Sequence, residues 1–378
     1  MEKVIYYEPA GRIHSAHREL IKNPPEGYRF ITGRGFLDGI VNNNLIFDKI
    51  RLQYLDRLMP LNYIKAKFDS LKKLPPEVDM IFAYNHLVFR KIPWIIHCEW
   101  AHIPIGRDLR FFPRYKKRVE EVLSLSYCKG IRTLTAMAKE SILRNYDTTG
   151  FEDKIKVVPI AIKSVDYNRD YNRDNVNLLF VGSVNSPVDF DEKGAGDVIK
   201  VFRLLREEYK DLTLTMRARI PKNLHIEDVP GLTLINHILS KQELSQLFKD
   251  ADIFVFPTHL AQNYVVVEAM SYGLPIVTSW IGSNCGEYIE DGITGFVLPQ
   301  NNVSYFMDNL ILTSETIYRH KLVELAHNDL EPLIETLTRL IESSELRERL
   351  GRNAKAEVDI GRFSIGYRNA LLKEMFDA

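Results

Sequence analysis

Short segments rich in β-branched and aromatic residues recur along the chain, with helical stretches between them. They form two series. The first covers residues 4–7, 28–32, 80–84, 94–97, 131–136 and 155–162, and the second covers 178–181, 212–216, 232–235, 252–257, 275–279 and 295–298. Several segments, such as 253–256, are apolar at every position, as expected for strands buried between two helical layers. The alternation predicts two parallel sheets covered by helices, which is the α/β class.

A polar stretch at residues 163–177 separates the two series. The chain has 378 residues, more than one hydrophobic core normally serves. We therefore predict one domain at 1–165 and a second at 166–355. Ligands of open α/β sheets bind at the carboxyl ends of the strands, so two such domains in tandem predict a binding cleft between them.

The charge balance argues against nucleic acid as a partner, because the 50 Lys and Arg residues are matched in number by 50 Asp and Glu residues and no global basic field remains. Cys98, Cys128 and Cys285 are far apart and lack zinc-site spacing, which favours a reducing compartment. The sequence shows no signal-peptide pattern and no apolar run near the ~20 residues that a membrane-spanning helix requires. These features predict a cytoplasmic protein.

The segment 107–118 has the composition of a membrane-contacting surface. Its basic and aromatic residues are Arg107, Arg110, Phe111, Phe112, Arg114, Tyr115, Lys116, Lys117 and Arg118. Such a mixture suits anionic lipid headgroups. A solvated or acceptor-facing surface is the alternative, so peripheral membrane contact is one hypothesis of two.

The segment 252–268 gives the strongest indication of a ligand-binding site. A buried strand is followed by a polar loop and then by a helix. The backbone N–H groups that open such a helix, together with the positive end of its dipole, form a site for a diphosphate. The loop from His259 to Asn263 is expected to supply them, and the predicted donor-binding residues at this helix start are Gln262, Asn263, Tyr264 and Val265. Glu268, about one turn further, is placed to accept hydrogen bonds from ribose hydroxyls.

The residues around this helix resemble the retaining family 4 glycosyltransferases of the GT-B fold. The donor domain of that family carries Glu-Ala-Met and then Gly-x-Pro, and this chain has Glu268-Ala-Met followed by Gly273-Leu-Pro275. Further elements that match the family pattern are Phe180-Val-Gly182, Lys193-Gly194, Val158-Pro159 at the interdomain linker and Arg362-Phe363-Ser364 near the C-terminus. The resemblance is dense over residues 155–300 and thinner over the N-terminal half.

The resemblance implies a GT-B fold, in which two Rossmann-like, doubly wound domains face each other across a cleft. Residues 1–165 would bind the acceptor, and residues 166–355 would bind the nucleotide-sugar donor. A helix at 356–378 would cross back to the first domain.

The resemblance also implies roles for individual residues. Glu268 would hold the ribose, Lys193 would neutralise the diphosphate leaving group, and Gly182 would let the backbone approach it. His97 resembles the histidine that the family places beside the transferred sugar, and Gly11 resembles the glycine loop on the opposite wall of the cleft. The predicted catalytic residues are therefore His97, Lys193 and Glu268.

Two positions of the donor site depart from the family pattern. Leu260 stands where the family has a glutamate that contacts sugar hydroxyls, and Ser183 stands where it usually has a phosphate-binding arginine. Arg217 or Arg219 is expected to replace the missing charge, because both lie at the end of a strand that reaches the cleft. Only one of the two would face the diphosphate, since side chains alternate along a strand.

The predicted reaction is transfer of a sugar from a UDP- or GDP-sugar to an unidentified glycan, lipid or small molecule, with retention of anomeric configuration. In this fold the base is recognised largely by backbone groups, here near the strand end Ile235 to Ile238, so the sequence does not separate a uridine donor from a guanosine donor. No cofactor is predicted, and the mechanism that the resemblance implies requires no metal. The pair Asp189 and Asp191 spells the Asp-x-Asp that other transferases use to bind a metal, but here it precedes a helix, where aspartate serves as a cap. Two alternatives remain: a catalytically silent nucleotide-sugar binding protein and a sugar-nucleotide epimerase of the same fold.

Overall fold

The computed structural model describes residues 2–9, 13, 15–32, 55, 58–106, 108–173, 175–182, 189–220, 229–259, 264–279, 287–299, 307–311 and 329–378. The chain divides into two compact units. The first comprises Met1–Ala161, Phe306–Ser314 and Ile365–Ala378, and the second comprises Ile162–Tyr305 and Glu315–Ser364.

The first unit is built on a parallel sheet with the order β2-β1-β3-β4-β5-β6. Its strands are β1 (Lys3–Glu8), β2 (Tyr28–Thr32), β3 (Met80–Tyr84), β4 (Trp94–His97), β5 (Cys128–Thr133) and β6 (Ile155–Val157). Every residue of β3 and β4 is buried, which explains their continuous apolar sequences. Ile95 and Ile96 point to separate core clusters, as expected for a sheet that is covered on both faces.

Helices cover both faces of this sheet. They are α1 (Ser15–Lys22), α2 (Leu61–Asp69), α3 (Phe112–Leu123), α4 (Ala136–Asn145) and the last helix of the chain, α11 (Ile365–Asp377). Met375 and Phe376 of α11 belong to the same core cluster as Ile95. The C-terminal helix is therefore part of the first unit.

The second unit has its own parallel sheet, with the order β12-β11-β10-β7-β8-β9. Its strands are β7 (Asn177–Val181), β8 (Thr213–Arg217), β9 (Leu232–Ile235), β10 (Ile253–Phe256), β11 (Ile276–Ser279) and β12 (Gly295–Leu298). The helices of this unit are α5 (Asp189–Glu192), α6 (Ala195–Glu208), α7 (Lys241–Asp250), α8 (Tyr264–Ser271), α9 (Glu331–Glu342) and α10 (Ser344–Asp359). The prediction of two parallel α/β sheets is confirmed.

Strand order identifies the edge of each sheet at which a ligand would bind. In the second sheet the order reverses between β7 and β10, and in the first it reverses between β1 and β3. The crevice outside the carboxyl ends of the strands at such a reversal is the usual ligand site of an open α/β sheet.

Candidate functional site

Gly182 and Arg217 are hydrogen-bonded to each other at the carboxyl ends of β7 and β8. The amide of Gly182 donates to the carbonyl oxygen of Arg217 at 2.7 Å, and Nη1 of Arg217 donates to the carbonyl oxygen of Gly182 at 2.7 Å. A Cβ at position 182 would lie 2.9 Å from the ring of Phe180, so a larger residue would force this ring to move. Among the described residues, the buried Nε of Arg217 has no hydrogen-bond acceptor. The guanidinium is therefore fixed in place with donor capacity to spare.

Glu268 lies in the second turn of α8 and interacts electrostatically with Arg217. Burial raises the pKa of the Glu268 carboxyl to about 7, and the positive charges of Arg217 and Lys241 oppose this rise. Burial likewise lowers the pKa of Arg217, while the charge of Glu268 opposes that change. A half-buried carboxyl of this kind can accept hydrogen bonds from hydroxyl groups, and such bonds favour its ionised form.

The segment that precedes α6 is docked against the end of β10. The amide of His259 donates to the carbonyl oxygen of Glu192 at 2.8 Å. Gly194 has a φ of +77°, and a Cβ there would overlap the carbonyl oxygen of Pro257. Glycine is thus required both for the left-handed backbone and for the close approach. This contact places the half-buried Lys193 at the carboxyl edge of the second sheet.

The start of α6 adds a second source of positive potential at this edge. Gly194 is the N-cap residue, and it provides no side-chain hydrogen bond to the first turn. The helix runs for 14 residues from Ala195 to Glu208, so its aligned peptide dipoles favour an anion at its amino end. Arg217, Lys193 and the start of α6 together suit a ligand that carries phosphate groups.

The other residues predicted for the donor site differ in their exposure. Tyr264 and Val265 are the half-buried first residues of α8. Ile238, which follows β9, is 71% exposed. Arg217 is half-buried, whereas Arg219 is exposed. The predicted residues Gly11, Ser183, Gln262 and Asn263, as well as Leu260, lie outside the described residues.

In the first unit, His97 ends β4 and belongs to a chain of three hydrogen-bonded side chains. Its Nδ1 lies 2.7 Å from Nε2 of His17, and Nδ1 of His17 lies 2.8 Å from the hydroxyl oxygen of Tyr7. All three residues are buried. Sequence reasoning identified His97 by its position at a strand end but missed the other two. The available signal was that Tyr7 is a polar residue in an apolar strand and that His17 lies on the helix that follows it.

Polar residues also gather at the carboxyl ends of β3 and β4 in the first sheet. Glu99 accepts hydrogen bonds from the hydroxyl of Tyr84 at 2.6 Å and from Nδ2 of Asn85 at 2.8 Å. Asn85 has a φ of +59°, a strained conformation that is common at functional sites. Sequence reasoning did not identify this group, because its members follow two different strands.

One group of three side chains has the composition of a metal site. Ligand atoms of Glu8, Asp69 and His86 lie within 4.8 Å of one another. However, the Asp69 carboxylate accepts hydrogen bonds from Lys65 and Lys72. Burial raises the pKa of Asp69, but these two bonds outweigh it and lower the pKa overall. Two ammonium groups on one carboxylate oppose a divalent cation, so we interpret the group as buried polar packing.

Residues 108–118 of the basic segment include the start of α3, whereas Arg107 lies outside the described residues. Arg110 pairs with Asp108 at 2.7 Å, and Arg118 pairs with Glu121 at 2.6 Å. Phe112 is part of the core, so not all of the aromatic side chains face solvent. No helix among the described residues is long and apolar enough to cross a membrane.

Known proteins resemble this chain in both sequence and fold. Residues 175–315 match the family Glycosyl transferases group 1. An uncharacterised glycosyltransferase of Haemophilus influenzae is 25% identical over 291 residues, which cover 70% of this chain and 76% of that protein. Anabaena Alr3699/HepE, solved in complex with UDP-glucose, has a TM-score of 0.59 at 15% identity, and the match covers 100% of both chains.

The structure of TarM has a TM-score of 0.55 at 13% identity, and the match covers 79% of this chain but 55% of TarM. The present chain thus spans about half of TarM. The architecture shared with these structures confirms the predicted GT-B fold class, with two Rossmann-like α/β domains. The family match and the fold support a glycosyltransferase.

Proposed function

We propose that this protein is a retaining, metal-independent glycosyltransferase that transfers a hexosyl group from a UDP- or GDP-sugar to an acceptor hydroxyl. The single observation that carries the proposal is the coupled pair Arg217 and Glu268, with Arg217 anchored on Gly182 where the second sheet reverses its strand order. The match of residues 175–315 to Glycosyl transferases group 1 supports it. So does the complex of HepE with UDP-glucose.

In this proposal, residues 166–355 bind the donor and residues 1–165 bind the acceptor. The ribose hydroxyls donate to the ionised Glu268 carboxylate, and these bonds lower its pKa from about 7. A phosphate oxygen accepts from the half-buried guanidinium of Arg217, and the charges of the two groups strengthen this bond. Lys193 and the amino ends of α6 and α8 add positive potential around the diphosphate.

The chemical step breaks the bond between the anomeric carbon and the diphosphate oxygen. The electron pair of this bond leaves with the diphosphate, and the acceptor oxygen bonds to the anomeric carbon on the same face. The proton of the acceptor hydroxyl passes to the departing phosphate oxygen. Lys193 and Arg217 stabilise the negative charge that develops on the leaving group, while His97 lies beside the transferred sugar.

We place this reaction in the cytoplasm, with segment 107–118 as a peripheral membrane contact. Arg110 and Arg118 of that segment are exposed. The acceptor is a glycan, a lipid or a small molecule that carries a free hydroxyl.

The proposal is tested by a thermal-shift screen against UDP-, GDP-, ADP- and CMP-sugars in the presence of EDTA, followed by a hydrolysis assay on each sugar that stabilises the protein. We expect a UDP- or GDP-sugar to raise Tm and to be hydrolysed slowly. Stabilisation without turnover, even with candidate acceptors present, would favour the silent binding protein, to which Leu260 and Ser183 point. The absence of any stabilising nucleotide sugar would contradict the proposal.

A further inference from the structure

We infer that Tyr7 and His17 are positioning residues that hold His97 in its Nε2–H tautomer, so that His97 offers a hydrogen-bond donor to an oxygen of the sugar. The inference rests on the proposed function, because that function places His97 beside the sugar. It goes further in assigning a chemical state to His97 and a role to two residues that do not themselves contact substrate.

The order of donors and acceptors starts at Tyr7. Its side chain is fully buried, and its ring stacks on Phe82 with a centroid distance of 6.2 Å. Burial raises the pKa of the Tyr7 hydroxyl, so the group keeps its proton. Among the described residues, the hydrogen-bond partner of this hydroxyl is Nδ1 of His17. Since a buried O–H without an acceptor is costly, Tyr7 donates and His17 accepts.

The order then passes through His17 to His97. A neutral imidazole carries one proton, and a ring nitrogen that accepts a hydrogen bond does not hold it. The proton of His17 therefore lies on Nε2, which donates to Nδ1 of His97 at 2.7 Å. By the same reasoning, the proton of His97 lies on its own Nε2.

Close packing prevents the imidazole rings of His17 and His97 from flipping, which would move Nδ1 and Nε2 out of their hydrogen-bonding positions. The rings of His17 and His97 meet edge to face, with centroids 4.9 Å apart. The ring of Tyr84 contacts both, at 4.4 Å from His17 and 5.3 Å from His97. A ring flip would require a rearrangement of all three close-packed side chains.

His97 therefore presents a hydrogen-bond donor, its Nε2–H group, at the end of β4. An Nε2–H group binds an oxygen lone pair, as a sugar hydroxyl or a phosphate provides, and it cannot act as a general base at that nitrogen.

The tautomers can be read directly from ¹H–¹⁵N spectra of the full chain labelled with ¹⁵N-histidine, with signals assigned through His17→Asn and His97→Asn. The matched pair of variants is Tyr7→Phe and Tyr146→Phe. Tyr146 is also a buried tyrosine of the first unit, and its hydroxyl donates to the carbonyl oxygen of Ala101 at 2.5 Å. We expect the Nε2–H tautomer of His97 in the wild type and in Tyr146→Phe. In Tyr7→Phe we expect a mixture of tautomers.

Donor hydrolysis gives the second measurement. We expect Tyr7→Phe to lower the rate by about five- to tenfold and Tyr146→Phe to leave it unchanged per folded molecule. A wild-type His97 protonated on Nδ1, or a Tyr7→Phe spectrum identical to that of the wild type, would overturn the inference. Full activity in His97→Asn would instead contradict the role of this histidine in the proposed function, whatever the spectra show.

Discussion

Arg217 and Gly182 hold each other through two hydrogen bonds of 2.7 Å, one between main-chain groups and one from the guanidinium to the carbonyl oxygen of the glycine. The contact extends the pairing of β7 and β8 by one residue and orients the guanidinium at the sheet edge. The sequence left open whether Arg217 or Arg219 replaces the arginine that family members have at position 183. The anchored, half-buried position favours Arg217.

The first prediction compares these two arginines. Arg217→Lys should lower kcat/KM for the donor by about 10- to 100-fold, because lysine cannot bond the Gly182 carbonyl and a phosphate oxygen with a rigid fork of donors. Arg219→Lys should lower kcat/KM by less than about threefold, since the Arg219 side chain is exposed. Steady-state kinetics of both variants on the same donor make the comparison. The opposite order would assign the site to Arg219.

The second prediction concerns Gly182. In Gly182→Ala the new methyl group meets the Phe180 ring at 2.9 Å, and the ring or the backbone has to shift. We expect donor affinity to fall by about tenfold, measured by titration calorimetry, together with a modest loss of stability. Gly366→Ala is the control, because no atom lies within 4 Å of its new Cβ. Unchanged affinity in Gly182→Ala would mean that the donor does not approach this glycine.

The central strands were the most predictable, because β3, β4, β10 and β11 are buried at every residue and therefore read as apolar runs. The prediction was wrong at both ends of β5 and at the end of β6. Residues 158–162 were expected to continue a strand, but β6 ends at Val157, two residues before Pro159, which has no N–H for the ladder. Residues 134–136 were also assigned to a strand, yet the side chain of Thr135 caps α4. Strand order was not predictable, because it depends on crossovers that leave no local pattern.

The candidate site was predictable only where a single segment carries it. Glu268 and Lys193 were found from motifs within one stretch of chain. The partners of His97 were not, because Tyr7 and His17 reach it from β1 and α1, about 80 residues earlier in the chain. The raised pKa of Glu268 could not be predicted from the sequence either, since it results from burial of the carboxyl in the folded unit.

The third prediction is a pH dependence set by Glu268. Burial raises the pKa of the carboxyl to about 7, and ribose hydroxyls are bound by its ionised form. Donor affinity should therefore fall as the pH drops through about 7. In Glu268→Gln the affinity should be lower and should lose this dependence. Calorimetric titrations at about pH 6 and about pH 8 measure both effects. The same pH profile in the variant as in the wild type would exclude Glu268 as its source.

The same carboxyl also predicts a change in stability. Because its pKa rises from 4.5 to about 7 on folding, the folded state keeps the proton that the unfolded chain loses. The stabilisation of the folded state that this proton provides is fully present below pH 4.5 and is lost as the pH rises through 7. Glu268→Gln should thus gain free energy of unfolding relative to the wild type between about pH 5 and about pH 8, measured by urea unfolding.

The fourth prediction concerns metal ions. The proposed mechanism stabilises the leaving group with side-chain cations, so transfer should continue in EDTA at a rate within about twofold of that in added Mg²⁺ or Mn²⁺. Asp189→Asn and Asp191→Asn, alone or together, should retain the same rate. A loss of activity in EDTA that Mn²⁺ restores would contradict this mechanism. If the double variant also failed to respond to Mn²⁺, the pair would be assigned as metal ligands.

The last prediction tests the contact that places Lys193. Gly194 and Gly292 both have positive φ, at +77° and +71°, so alanine costs about 1 kcal/mol of backbone strain at either position. Only at position 194 does the new Cβ also meet the carbonyl oxygen of Pro257, whereas at 292 nothing lies within 4 Å. Gly194→Ala should therefore lose more stability than Gly292→Ala and should also bind the donor more weakly. Because the two variants share the same strain, the difference between their urea midpoints and donor affinities isolates the contact between residue 194 and Pro257. Equal effects would show that the position of Lys193 does not depend on this contact.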